Sequence, residues 1–179
     1  LPSSAPVLLV VGGSLGARSI NNALLKNYTQ LIDAGVHVLW QTGAVFYEQH
    51  RATLALLPEQ LKVVPFIKEM DMAYAAASCV ISRAGALAIS ELCLVAKPCI
   101  LVPSPYVSED HQRKNAMALV NKQAALMVLE SDTETDLVKR ALALLANTSE
   151  QEALKTNIAA LAKPNATAAI VDEIIKLVV

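Results

Sequence analysis

Three glycines and a serine, Gly12-Gly13-Ser14-Leu15-Gly16, stand between the apolar run Val7–Val11 and a stretch of helical periodicity. Glycines let a backbone turn sharply and come close to a ligand. A helix N-terminus offers free N–H groups and a dipole that attract anions. The pattern is not GxGxxG, because position 14 is serine, and it is not a P-loop, because GK[ST] is absent. Two readings stand: a cradle for a phosphate, or a plain turn with Ser14 as a helix N-cap.

A second stretch repeats the design. Ser82-Arg83-Ala84-Gly85-Ala86-Leu87-Ala88-Ile89-Ser90-Glu91 joins a strand end, a glycine and a helix start. Its first-turn N–H groups would aim at whatever occupies the strand ends. Glu91, one turn farther on, could accept two hydrogen bonds from a vicinal diol such as a ribose, or simply complement the helix dipole. Pro65-Phe66-Ile67-Lys68-Glu69-Met70 is a loop that could read a flat base through its backbone, or a connector with Phe66 in the core. In Pro103–Asn115 two prolines stiffen the exit from a strand, and Ser108 is placed to cap the next helix. His111, Gln112 and Asn115 then share a helix face that suits hydroxyl recognition, or a solvated first turn. No histidine pair has metal-ligand spacing, and no Ser-His-Asp or Cys-His pairing is legible. His37 beside a strand and His50 on an exposed helix face read as structural.

These stretches need a frame that brings them to one edge. Val7–Val11, Val36–Gln41, Lys62–Val64, Cys79–Ser82, Pro98–Val102 and Ala125–Leu129 read as strands. Ala17–Asp33, Val45–Leu57, Met70–Ala77, Ala86–Val95, Asp110–Asn121 and Glu134–Leu145 read as helices between and after them, followed by Glu150–Leu161 and Ala166–Val178. Such alternation predicts right-handed βαβ crossovers and an α/β fold with a doubly wound, parallel, six-stranded Rossmann-like sheet. Ligands then bind at the carboxyl ends of the strands. In the last helix Ile170, Ile174, Leu177 and Val178 form an apolar face, widened by Val171 and Ile175, that needs more cover than a sheet edge provides.

Composition agrees. Of 179 residues, 54% are hydrophobic but only 4% aromatic, as expected of aliphatic strands covered on both faces. No apolar run reaches the roughly 18 residues of a membrane span. A net charge of −1 leaves no electrostatic footprint for nucleic acid. There is no secretory signal pattern. Three cysteines, Cys79, Cys93 and Cys99, lack CxxC spacing and read as buried thiols of a reducing cytoplasm. The opening LPSSAP, residues 1–6, has a linker's composition and no initiator Met, which suggests a piece cut from a longer protein at a domain boundary.

Taken together, GGSLGAR (12–18), PFIKEMDMAYAAA (65–77), SRAGALAISEL (82–92) and PSP…DHQRKNA (103–105 and 110–116) resemble the MurG family in order and spacing. These N-acetylglucosaminyltransferases turn lipid I into lipid II in bacterial peptidoglycan synthesis. The resemblance covers nearly the whole chain but only the C-terminal, donor-binding half of the family's GT-B fold. It implies a UDP-sugar-binding domain over residues 7–163, and a C-terminal helix over 164–179 that packs on the absent N-terminal domain. It also implies that Gly13 and Ser14 contact the diphosphate of UDP-GlcNAc and that Ile67 bonds uracil through its backbone. Ala86, Leu87 and Ala88 would present N–H groups to sugar and phosphates, Glu91 would bind the ribose, and Gln112 and Asn115 would face the GlcNAc hydroxyls. Two departures stand out: Ala88 where many members have Thr, and His111 where a Gln is usual, which unsettles the sugar contacts there.

The resemblance further implies a metal-independent reaction without cofactor, consistent with the absence of a DxD motif. Lipid I and the catalytic base would belong to the missing half, so this fragment would hold no catalytic residue and would bind donor without turnover. The full-length protein would sit peripherally on the cytoplasmic face of the inner membrane. Alternatives are the donor half of another GT-B enzyme (a glycolipid glycosyltransferase or a UDP-GlcNAc 2-epimerase), a non-catalytic module sensing NAD or ADP, and an interaction domain without ligand. Gln41-Thr42 at the end of the second strand offers no acidic residue for an adenosine ribose, against the NAD reading.

Overall fold

A computed structural model describes residues 5–178, apart from the side chain of Val178. Most of the 1–6 linker expectation, and the place of Val178 on the last helix's apolar face, therefore lie outside what is described. Six strands, β1 (Val7–Val11), β2 (His37–Gln41), β3 (Leu61–Val64), β4 (Cys79–Ser82), β5 (Cys99–Leu101) and β6 (Leu126–Met127), form one sheet in the order β3-β2-β1-β4-β5-β6. Every pairing is parallel. The chain reverses its direction of travel across the sheet between β1 and β4, so a crevice opens at the carboxyl ends of those two strands.

The central strands are apolar because both their faces are covered. Leu8 and Val10 of β1, Ile81 of β4 and Ile100 of β5 join one core cluster, against α1 (Arg18–Asp33) and α7 (Thr133–Ala146). Leu9, Val80, Cys99 and Leu101 face the opposite cluster, formed with α4 (Met70–Ala76), α5 (Ala86–Val95), α6 (His111–Val120) and α8 (Thr148–Ala159). Successive strand residues point to opposite faces, so one uninterrupted apolar run serves two cores. In α1, Ile20, Ala23, Leu24 and Leu31 recur at helical spacing and are buried.

Three local expectations change. The predicted helix Val45–Leu57 divides into α2 (Ala44–Gln49) and α3 (Arg51–Leu54). The break is at His50, whose φ of −113° leaves the helical region. Its ring stacks on Phe46 at 3.9 Å, so it is half-buried rather than on an open face. Strand β6 pairs over Leu126–Met127 alone, before the chain enters a 3₁₀ turn at Glu130–Asp132. Ser108 does not cap α6 with its side chain. It opens a 3₁₀ turn over Ser108–Asp110, and Asp110 takes the cap position with no side-chain cap bond.

The last helix, α9 (Ala166–Val178), leaves its apolar face open. Ile170, Val171, Ile174, Ile175 and Leu177 are all exposed, Leu177 at 87%. No helix among the described residues is long and apolar enough to cross a membrane. Cys79, Cys93 and Cys99 are buried free thiols. Desolvation pushes Cys79 up to about 12 and raises Cys93 and Cys99 as well, so these thiols remain protonated and inert at neutral pH.

Candidate functional site

The loop from Gly12 to Ala17 is shaped by what it packs against. Gly16 has φ +77°, and a Cβ there would collide with the Thr42 carbonyl oxygen. Gly43 has φ +81°, and its Cβ would meet the Gly16 nitrogen at 2.5 Å. Only two glycines allow these backbones to touch. Side chains hold the joint closed. Asn21, fully buried on α1, donates to the Thr42 carbonyl (2.9 Å) and accepts from the Trp40 indole N–H (3.0 Å). The amide of Gln41 donates to the Gly13 carbonyl at 2.7 Å and reaches the Pro65 carbonyl at 3.4 Å.

Ser14 is not the cap of α1. The cap position is Ala17, which makes no side-chain cap bond, and Ser14 stands exposed in the loop ahead of it. The first-turn N–H groups of α1 are therefore left for a ligand or water. The same holds across the crevice, where α5 begins after Gly85, again without a side-chain cap. Two uncapped helix N-termini thus flank the β1/β4 crevice.

A cleft of about 520 Å³ lies between them, lined on one side by Gly12–Arg18 and on the other by Arg83, Gly85, Ala88, Ser104, Tyr106, Gln112 and Glu130. Its floor is an ion pair. Arg83 donates to both carboxylate oxygens of Glu130, to the Val102 carbonyl (3.1 Å) and to the Ser19 hydroxyl (3.3 Å). With side chains 16% and 20% exposed, the pair is largely shielded from water. It ties α1 to the segments that follow β4, β5 and β6, beneath the cleft.

Of the residues predicted from sequence, Gly13, Ser14, Ala88 and Gln112 line this cleft, and Ala86 and Leu87 share the first turn of α5 with Ala88. Asn115 lies one turn after Gln112 on α6. The structure sets the polarity of both amides. Gln112 accepts the Ser104 N–H through its oxygen (2.9 Å), which leaves its NH₂ group to donate. Asn115 donates to the Ala84 carbonyl (3.1 Å), which leaves its oxygen to accept. His111 lies outside the lining, exposed, with Nδ1 2.8 Å from the Ser108 carbonyl. Ile67 and Glu91 also lie outside it. Ile67 packs on the second core cluster while its neighbour Phe66 is 61% exposed. Glu91 is exposed and accepts a hydrogen bond from Tyr74 (3.0 Å).

Sequence reasoning missed Arg18, Tyr106 and Glu130 as lining residues. Arg18 closes the GGSLGAR string and could have been read as a cation beside the loop. Nothing local marked Glu130, 47 positions from Arg83. Among the described residues no group of three or more His, Cys, Asp and Glu could hold a metal.

Residues 7–172 match the glycosyltransferase family 28 C-terminal domain. The chain belongs to that family. Its relatives include a Cytophaga hutchinsonii protein named UDP-N-acetylglucosamine–N-acetylmuramyl-(pentapeptide) pyrophosphoryl-undecaprenol N-acetylglucosamine transferase, 49% identical over 99% of this chain and 47% of that protein. A Bacteroides fragilis protein of the same name is 51% identical over 95% of this chain and 46% of its own length. The crystal structure of Acinetobacter baumannii MurG superposes with a TM-score of 0.84 at 32% identity, over 98% of this chain and 51% of that one. The chain spans about half the length of the curated relatives it matches. Within family 28 its sheet corresponds to the C-terminal half of the GT-B fold.

Proposed function

We propose that this chain is the donor-binding half of an N-acetylglucosaminyltransferase that moves GlcNAc from UDP-GlcNAc to the MurNAc 4-hydroxyl of lipid I, giving lipid II. The observation that carries this reading is that two helix starts without side-chain caps, α1 after the glycine loop and α5 after Gly85, border one cleft. Expulsion of UDP builds negative charge on its β-phosphate. Preorganised N–H groups at that point stabilise the charge without rearranging. The diphosphate lies against Gly13, Ser14 and the start of α5 at Ala86, Leu87 and Ala88. Arg18 adds a positive charge at the rim. The Ile67 backbone reads uracil, and Glu91 takes the ribose. The donor end of Gln112 and the acceptor end of Asn115 address adjacent sugar hydroxyls. His111, held to Ser108, contributes at most one bond there.

Residues 7–163 form the donor-binding unit in this reading, and the helix over 164–179 covers its apolar face on the other half of the enzyme. The acceptor, its general base and the peripheral attachment to the cytoplasmic face of the membrane belong to that other half. An adenine-nucleotide module is disfavoured because Gln41 is buried at 3% exposure and committed to Gly13, where an adenosine ribose would need a carboxylate.

Calorimetric titration with UDP-GlcNAc, UDP, UDP-glucose and ADP tests the reading. Uridine nucleotides bind, ADP does not, and the GlcNAc form is preferred over the glucose form. Glu91→Ala weakens binding by roughly ten- to a hundredfold, the equivalent of charge-assisted hydrogen bonds worth about 1.5–3 kcal/mol. Equal affinity for UDP and ADP, or an unchanged Glu91→Ala variant, defeats it. Lipid II formation by this chain alone would show that the base is not on the other half.

A further inference from the structure

One polar group beside the site has no part in the reading above. Tyr74 lies on α4 with only 5% of its surface exposed, in the core cluster that holds Leu9, Val80 and Leu92. Its hydroxyl leaves that core and donates to Glu91 Oε2 on α5, at 3.0 Å. Burial first, then the charge and hydrogen bond of Glu91, raise the phenol's pKa well above the ordinary tyrosine value, so it stays a donor throughout the neutral range.

An exposed glutamate on a helix surface samples several rotamers and loses that freedom when it binds. A rigid phenol holding one oxygen removes most of that loss in advance. It also leaves Oε1 and a further lone pair on Oε2 free, which is what a vicinal diol requires.

We propose that Tyr74 is a positioning residue for ribose recognition: it holds the Glu91 carboxylate where both ribose hydroxyls can donate to it. The proposal rests on the donor reading above. It also gives α4 a role beyond packing. The loop Pro65–Glu69, which carries the proposed uracil contact at Ile67, runs directly into α4, so the segment that reads the base leads into the helix whose tyrosine positions the ribose-binding carboxylate of α5.

The test compares UDP with 2′,3′-dideoxy-UDP on the 179-residue chain, by calorimetry. Wild type prefers UDP, and Glu91→Ala abolishes the preference. Tyr74→Phe weakens UDP binding about three- to tenfold and leaves dideoxy-UDP unchanged. Adding Tyr74→Phe to Glu91→Ala changes nothing more. Glu91→Asp, at an exposed position, keeps the charge but withdraws it from the phenol, and it too loses ribose preference. A Tyr74→Phe variant that keeps the wild-type preference while Glu91→Ala loses it overturns the role of Tyr74 and leaves the donor reading intact. Equal weakening toward both nucleotides overturns it too, because that marks a structural role alone. A wild-type chain without ribose preference overturns both the role and the ribose contact.

Discussion

The loop between β1 and α1 and the loop between β5 and α6 reach the same cleft and are held by opposite means. The first is fixed by backbone against backbone: Gly16 and Gly43 meet where no Cβ fits, and buried Asn21 and Gln41 close the joint. The second, Pro103–Asp110, is held by side-chain bonds near the surface, from Gln112 to Ser104 and from His111 to Ser108. Glu109 and Asp110 there have φ of 54° and 52°, and Tyr106 is 87% exposed. In the proposed donor reading, the phosphate side is therefore preformed, and the sugar side depends on amides that a ligand must share. A diphosphate common to many donors suits a rigid cradle. A sugar that must be told from its epimers suits adjustable donors and acceptors.

Substitutions can break this contrast. The largest effect is expected from Gly16→Ala, which places a Cβ on the Thr42 carbonyl at positive φ and costs more than about 3 kcal/mol in chemical denaturation, or prevents folding. Gly13→Ala, also at positive φ but with nothing within 4 Å of its Cβ, costs only about 1–2 kcal/mol. Equal losses would mean that the loop is not locked by close approach.

Arg83→Met tests the tie beneath both loops. It strands Glu130 in a shielded place and costs about 2–3 kcal/mol, discounted from a fully buried pair because both groups keep some exposure. A loss below about 0.5 kcal/mol would make it an ordinary surface pair.

The sheet under the loops has its own pH signature. The Cys79 thiol, raised to about 12, stays neutral in the folded chain while the unfolded chain ionises from its ordinary value of 9.0. Its contribution is whole below pH 9, and is lost as pH rises toward 12. Denaturation midpoints should fall over that window, and Cys79→Ala should flatten the fall. A midpoint independent of pH there would contradict the burial.

The smallest effect is Gln112→Ala, which frees the Ser104 N–H and costs about 1 kcal/mol of stability. It should reduce the preference for UDP-GlcNAc over UDP-glucose while leaving UDP affinity unchanged. A loss of UDP affinity instead would place Gln112 on the phosphate side.

Much of this was legible in order along the chain. Apolar runs at Val7–Val11 and Cys79–Ser82 marked strands because burial on both faces demands it. The glycines of the first loop marked a sharp turn, although the cap position offered to Ser14 falls on Ala17, which makes no side-chain cap bond. The break at His50 was not legible, because Phe46 and His50 both fit a helical pattern and only their stacking shows where it ends. The face shared by His111, Gln112 and Asn115 was visible from spacing. Which end of each amide remains free was not, since Ser104 and Ala84 decide it.

What the sequence by itself determined is therefore the set of elements and the residues at their carboxyl ends, because periodicity, turn residues and burial act over a few positions. Only the tertiary structure decided how those ends meet. The order β3-β2-β1-β4-β5-β6 opens the crevice between β1 and β4. It brings Glu130 under Arg83 and the Tyr74 hydroxyl to Glu91, contacts 47 and 17 residues apart. Such pairings carry no local signature, because each partner alone is only a polar side chain that needs somewhere to go, and the fold supplies the place.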